Sequence, residues 1–217
     1  MSTYPISQRN KVKRIPKRGH YDQETVYAIL DAGFLCHIGF SVEGQPYVIP
    51  TSYGRAGNTL FIHGASTSRM LVNLQEGVPL CLTVTHLDAL VLARSAFHHS
   101  MNYRSVVVFG TAQKIEDYDE KLHALKVVSD QILVGRWEES RQPIPKEMKA
   151  TTVLKMEIEQ ASAKVRTGPP GDDKPDYELP IWAGVVPYVP QWGEPEADTL
   201  LKQGIPLAES VKELVKK

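Results

Sequence analysis

Three short stretches hold the residues with chemical potential. HGASTSRM, residues 63–70, places one imidazole, three hydroxyls and a guanidinium within eight positions. A strand ends at His63, Gly64 permits a turn, and Ser66, Thr67 and Ser68 open a helix with Arg69 in its first turn. Unpaired backbone N–H groups at a helix start attract an anion, hydroxyls add donors, and the guanidinium fork matches phosphate oxygens. The plainer reading of the same residues is a serine cap on a surface helix. FHHSMNYRSVVVFG, residues 97–110, sets His98, His99, Asn102, Tyr103 and Arg104 at the mouth of an apolar strand. QPYVIPTSY, residues 45–53, is a strand interrupted by Pro50, whose backbone at Ile49, Thr51 and Ser52 is then free to meet a flat polar heterocycle; a routine bulge is the alternative.

The chain is 217 residues long, with 42% apolar and 23% charged residues and a formal net charge of zero. That length suits one medium domain with extensions. The charge balance lacks the basic excess that nucleic-acid binding requires. One basic run, KVKRIPKR at residues 11–18, reads as a solvated arm, with packing near a phosphate or a partner subunit as the second reading. Cys36 and Cys81 lie in apolar runs and are expected as free thiols in neighbouring strands, which fits a reducing cytoplasm. Too few ligands are grouped for a zinc site. Neither a signal-peptide core nor an apolar run of membrane-spanning length is evident, so no membrane association is expected. No G-x-S-x-G elbow supports serine hydrolysis.

These stretches need a scaffold. Asp22 caps a helix over residues 23–30, and strands follow at 34–40, 45–53 and 59–64, joined by tight turns. A helix at 66–74 precedes a long strand at 80–95 and another at 103–115, where Gly110 marks a bend of the kind barrels use. Residues 117–134 have helical periodicity, 139–148 read as a loop, 151–165 as one strand, and 166–180 as a Gly/Pro/Asp-rich loop. A short strand at 181–188 and a helix over 195–217 complete the chain. At least six strands with few helices predict a mainly β fold, a six-stranded antiparallel split β-barrel with peripheral helices, because closure removes exposed edges. The expected organisation is an arm at 1–20, a barrel domain at 21–190 and a helical tail at 191–217.

Taken in order, GFLCHIGF, QPYVIPTSY, LFIHGASTSRM, HHSMNYRSVVVFG, VGRWEESRQP and IWAGVVP resemble the FMN-binding split-barrel family that includes pyridoxamine 5'-phosphate oxidase, nearest its nitroimidazole-resistance and uncharacterised flavoprotein branch. The resemblance spans about residues 22–187. It implies FMN as cofactor, with Val48, Ile49, Pro50, Thr51 and Ser52 along the flavin ring. It implies the phosphate at Ser66, Ser68 and Arg69, with His63 leading into that turn. It implies a homodimer with FMN at the interface, His99, Asn102 and Tyr103 completing the partner's pocket, and Arg104 reaching the phosphate or pairing across the interface. Trp182 covers the ring or lies in the core. Where pyridoxamine phosphate oxidases carry a lysine after the Ser-Arg pair, this chain has Met70, and their C-terminal arginine-histidine segment is not evident, so that activity is not expected. The implied reaction is NAD(P)H-dependent reduction of a nitroaromatic or quinone, with His63 or His99 as a proton donor and no nucleophile. A flavin store or electron carrier is one alternative. Another is haem or deazaflavin F420 in the same barrel, with His63, His86, His98 and His99 leaving haem ligation open.

Overall fold

The structure is a computed structural model and describes residues 2–216. The strands are β1 (Gly19–His20), β2 (Leu35–Val42), β3 (Gln45–Ser52), β4 (Gly54–Ala56), β5 (Thr59–Ala65), β6 (Pro79–Leu92), β7 (Ser100–Lys114), β8 (Thr151–Glu157), β9 (Gln160–Arg166) and β10 (Gly184–Pro187). The helices are α1 (Gln23–Asp31), α2 (Arg69–Leu74), α3 (Tyr118–Ile132), α4 (Pro145–Ala150) and α5 (Glu209–Val215). All ten strands form one sheet with the order β3-β2-β6-β7-β8-β5-β4, while β9 and β10 branch from β7 and β6 and β1 extends β9.

The mainly β, antiparallel expectation holds, but the pairing path is open between β3 and β4 and does not close into a six-stranded barrel. Pro46 and Pro50 lie in β3 and have no N–H to offer a further neighbour. The split itself is visible at Gly110. β7 pairs with β9 as far as Phe109↔Gln160 and with β8 from Ala112↔Met156. At the crossing a Cβ on Gly110 would lie 2.6 Å from the Glu157 carbonyl oxygen, so only glycine lets the β8–β9 turn pass. That turn, closed by Glu159 N–H donating to Phe109 O at 3.1 Å, also splits the single strand expected over 151–165.

Period-two alternation places Ile38, Phe40, Leu80, Leu82, Val84, Val106 and Val108 inside, with Val26, Ile29 and Leu30 of α1 plugging the same core. Each such side chain contributes about 1.5–3 kcal/mol on burial. Asp22 caps α1 as expected, accepting from Thr25 N–H at 2.8 Å. At the other end, Tyr53 OH and Gln131 Nε2 donate to the Leu30 carbonyl, satisfying an orphan helix acceptor. A second core of Phe61, Ile115, Ala124, Val128 and Val153 packs α3 on the β5–β8 pair.

Three local expectations are corrected. Pro145 at N1 and Glu147, whose carboxylate accepts from Ile144 N–H at 2.9 Å, start α4 inside the segment read as a loop. The C-terminal helix is only Glu209–Val215, because residues 195–208 contain two prolines and a left-handed Gly204. The short β1 was not anticipated; it exists only through pairing with β9.

Candidate functional site

The turn from β5 into α2 is built by backbone bonds. Ser68 N–H donates to Ala65 O at 2.9 Å and Ser66 N–H to Ala150 O at 3.0 Å. Ser68 is the N-cap, yet its hydroxyl makes no capping bond. Among the described residues the Ser66 and Ser68 hydroxyls and the Arg69 guanidinium have no hydrogen-bond or ion-pair partner; Arg69 rests over the Tyr47 ring at 5.7 Å. The helix starts at Arg69 rather than Ser66 and its first-turn N–H groups lack intrahelical partners. Gly64 serves packing rather than a left-handed turn, since a Cβ there would meet Leu71 Cδ1 at 3.1 Å.

His63 lies on β5, opposite Val153. Its Nδ1 is buried without a partner, and burial holds the imidazole below its usual pKa. The ring is thus kept neutral, the form in which imidazole binds metals. β3 pairs only with β2, so half its peptide groups face away from the ladder beside the exposed Val48 and Pro50, while Ile49 packs inward and Thr51 and Ser52 are half-buried. The β3 edge and the α2 turn therefore meet at Tyr47 and Arg69.

The third stretch lies elsewhere. His99 Nε2 contacts Ala93 O at 3.1 Å. Asn102 is buried, donates to Gly168 O at 3.1 Å and accepts from Arg166. Tyr103 is half-buried opposite Leu87 and Arg166. Arg104 gives both arms of its fork to Asp88, which raises its pKa, and lines a 390 Å³ cleft with α1. Trp182 is 66% exposed and covers Gly184. The Tyr47 row continues through Phe40 and Leu80 to Gly110, eight residues along β7 from Asn102. At about 3.4 Å per residue that is roughly 27 Å. Within one chain the α2 turn and the Asn102–Tyr103 cluster cannot touch one flavin ring.

Sequence reasoning missed two features here. One is a 230 Å³ cleft lined by Phe34, Leu35, His37, Thr85 and His86, where His86 Nε2 contacts Ile29 O at 2.9 Å. A Cβ on Gly33 would strike the His86 ring at 2.8 Å, a proximity invisible in linear sequence. The other is a trio of half-buried His98, exposed Asp173 and half-buried Asp176 whose ligand atoms lie within 4.8 Å of one another. Cys36 and Cys81 are free, as expected; burial pushes the Cys36 thiol up to about 12, and Cys81 is only half-buried. No described helix is long and apolar enough to cross a membrane.

Comparison with known proteins agrees with this architecture. The family model described as Pyridoxamine 5'-phosphate oxidase matches residues 22–165. Flavocytochrome Anf3 from Azotobacter vinelandii is 43% identical, covering 96% of this chain and 97% of its own, with a TM-score of 0.90. The FAD and heme binding protein from Mycobacterium smegmatis is 36% identical, covering 91% and 97%, with a TM-score of 0.87. A 5-nitroimidazole antibiotic resistance protein of Bacteroides thetaiotaomicron is 25% identical over 66% of this chain and 84% of its own, with a TM-score of 0.57. No curated protein sequence matches. An antiparallel sheet split at Gly110, a β5–α2 turn with uncommitted hydroxyls and a family match from α1 to β9 agree: the chain belongs to the pyridoxamine 5'-phosphate oxidase family, within the FMN-binding split-barrel superfamily.

Proposed function

We propose that this protein is a flavin-dependent redox protein that also holds a haem, and that electrons pass between the two groups. The observation that carries this reading is the near full-length likeness to a flavocytochrome and to an FAD and heme binding protein. The nitroimidazole-resistance likeness covers only 66% of the chain. Residues of this chain offer donors or a ligand atom for each group. Ser66, Ser68 and Arg69 have uncommitted donors for a flavin phosphate, and the exposed β3 edge has peptide groups for the ring. His63 is the imidazole suited to iron, since its Nδ1 is buried and orphaned and burial keeps the ring unprotonated.

In this reading Ser66, Ser68, Arg69 and the β3 edge would hold a flavin, which when bound would supply hydride acceptance from a nicotinamide donor and single-electron release. The chain's own tasks are to anchor the phosphate, to hold the ring against β3 and to keep His63 neutral. Because Asn102 lies roughly 27 Å along β7 from the row that carries Tyr47 and Arg69, a second copy supplies His99, Asn102 and Tyr103 to each pocket, which makes the working unit a homodimer. The flavin is FAD, as in the 36% identical relative, rather than FMN alone. A small nitroaromatic or quinone acceptor is the second reading, supported by the nitroimidazole-resistance likeness.

The test is an absorption spectrum of protein purified without added cofactor, with mass spectrometry of the released ligands. Flavin bands with a Soret band and an FAD mass are expected. Flavin without a Soret band, even after haem reconstitution, overturns the haem half. Colourless protein that binds neither FMN nor FAD overturns the whole reading.

A further inference from the structure

The basic run at residues 11–18 takes no part in the flavin and haem reading. Its last residues form a 3₁₀ turn, Pro16–Arg18, entered through Ile15 at φ 53°, a left-handed conformation that β-branched residues rarely adopt. The turn delivers β1, whose Gly19 pairs with Lys164, and so brings Arg18 alongside the end of β9. There Arg166 is 8% exposed. Its guanidinium donates only to neutral oxygens: Asn102 Oδ1, Gly168 O at 3.5 Å and Pro169 O at 3.3 Å. Its Nε is buried with no partner. Among the described residues no carboxylate pairs with Arg166, Arg18 or Lys164, although thirteen ion pairs form elsewhere. Burial first, and the charge of Arg18 second, hold the Arg166 guanidinium below its usual pKa.

A buried cation is ordinarily paired, because desolvation otherwise goes uncompensated. Here Arg18 adds a second positive charge beside it, and Lys164, two residues earlier on β9, shares its face of the strand. We propose that Arg166, Arg18 and Lys164 form an anion site, beside Tyr103, that takes the phosphate of a nucleotide. A guanidinium fork matches phosphate oxygens, three cations suit a multiply charged anion better than one carboxylate, and Tyr103 sets a phenol and an aromatic face opposite Arg166 in register. Two sources share this chemistry: the adenylate half of a dinucleotide flavin, which rests on the flavin reading, and a separate nucleotide reductant, which does not.

The experiment uses the protein as purified, with Arg18→Ala and Lys164→Ala, exposed or half-buried positions whose replacement leaves Arg166 in place. Pyrophosphate is titrated by calorimetry, and FMN and FAD affinities are measured by fluorescence. A separate nucleotide predicts saturable pyrophosphate binding that each variant weakens about tenfold, the loss of one charged contact, with flavin affinities unchanged. A flavin source predicts about tenfold weaker FAD binding in the variants with FMN unaffected. Variants that alter neither pyrophosphate binding nor FAD affinity overturn the site, as does a parent protein that binds neither ligand. Protein that takes up no flavin but binds pyrophosphate through Arg18 keeps this site while the flavin reading fails.

Discussion

Gly110→Ala tests the reasoning behind the split sheet. The added Cβ would stand 2.6 Å from Glu157 O, about 0.8 Å short of the 3.4 Å where ordinary contact begins, and 2.8 Å from Met156 Cγ. The methionine is unbranched and can turn aside. The carbonyl belongs to the last residue of β8 and can move only with the β8–β9 turn. Overpacking of this kind costs about 1–3 kcal/mol, and the reduced entropy of the unfolded chain offsets about 0.4–1 kcal/mol. The net expectation is a loss of about 1–2 kcal/mol, or a fall in Tm of about 2–8 °C for a chain of this size. Gly171→Ala is the control: nothing lies within 4 Å and its φ is outside the left-handed region, so its stability should be unchanged or slightly raised. Urea unfolding followed by tryptophan fluorescence measures both. If Gly110→Ala unfolds at the parent's midpoint with the same slope, the close crossing of β7 and the β8–β9 turn is wrong.

Arg69→Ala should weaken flavin binding by about 1.5–3 kcal/mol, the worth of a hydrogen bond to a charged group, and unchanged fluorescence titration would remove Arg69 from the site. His63→Gln should abolish the Soret band while leaving the flavin bands. His63 also predicts a pH dependence in haem-free protein. Its folded pKa is below the ordinary value, so the unfolded chain binds the extra proton first. Stability is then full above about pH 6.5, falls as pH drops through that value and levels off below the folded pKa. The Gln variant should lose that slope in urea midpoints measured across the range, and a slope that persists would assign it to another group. Asn102→Ala should loosen the 168–169 loop and reduce flavin affinity with the sheet intact, as measured by titration and far-ultraviolet circular dichroism.

The strands of the meander, α1 and α3 were legible because each is local: Asp22 caps α1, tight turns separate the early strands, and α3 shows helical periodicity. The α2 turn was legible for the same reason, as its hydroxyls and guanidinium are contiguous. What failed was whatever depends on distant partners. β1 has no strand signal of its own and appears because Gly19 and His20 meet β9. The 151–165 stretch alternates without a visible break, and only the crossing over Gly110 forces its turn. Arg104 looked available until Asp88, sixteen residues earlier, took its fork. Arg166 carried no signal at all, since an arginine at a strand end is ordinary until its burial and missing carboxylate are seen.

The separation of the candidate residues is a physical argument about assembly. Asn102 lies eight residues along β7 from the row that carries Tyr47 and Arg69, and β3 and β7 are also three strand spacings apart, roughly 14 Å. No side-chain rotation closes such distances. The outer surfaces nevertheless carry side chains that water does not favour: Val48 is 69% exposed, Trp182 66%, Trp192 58% and Leu200 88%. A second copy related by a two-fold axis would set each chain's β7 start against the other's β3 edge, where Val48 is exposed. Flavin affinity and dimerisation should then be linked, so that diluting the protein releases flavin and adding flavin shifts the sedimentation equilibrium toward dimer. Flavin affinity that stays constant while the protein passes from dimer to monomer would mean that each pocket is complete within one chain and that Asn102 and Tyr103 have no part in it.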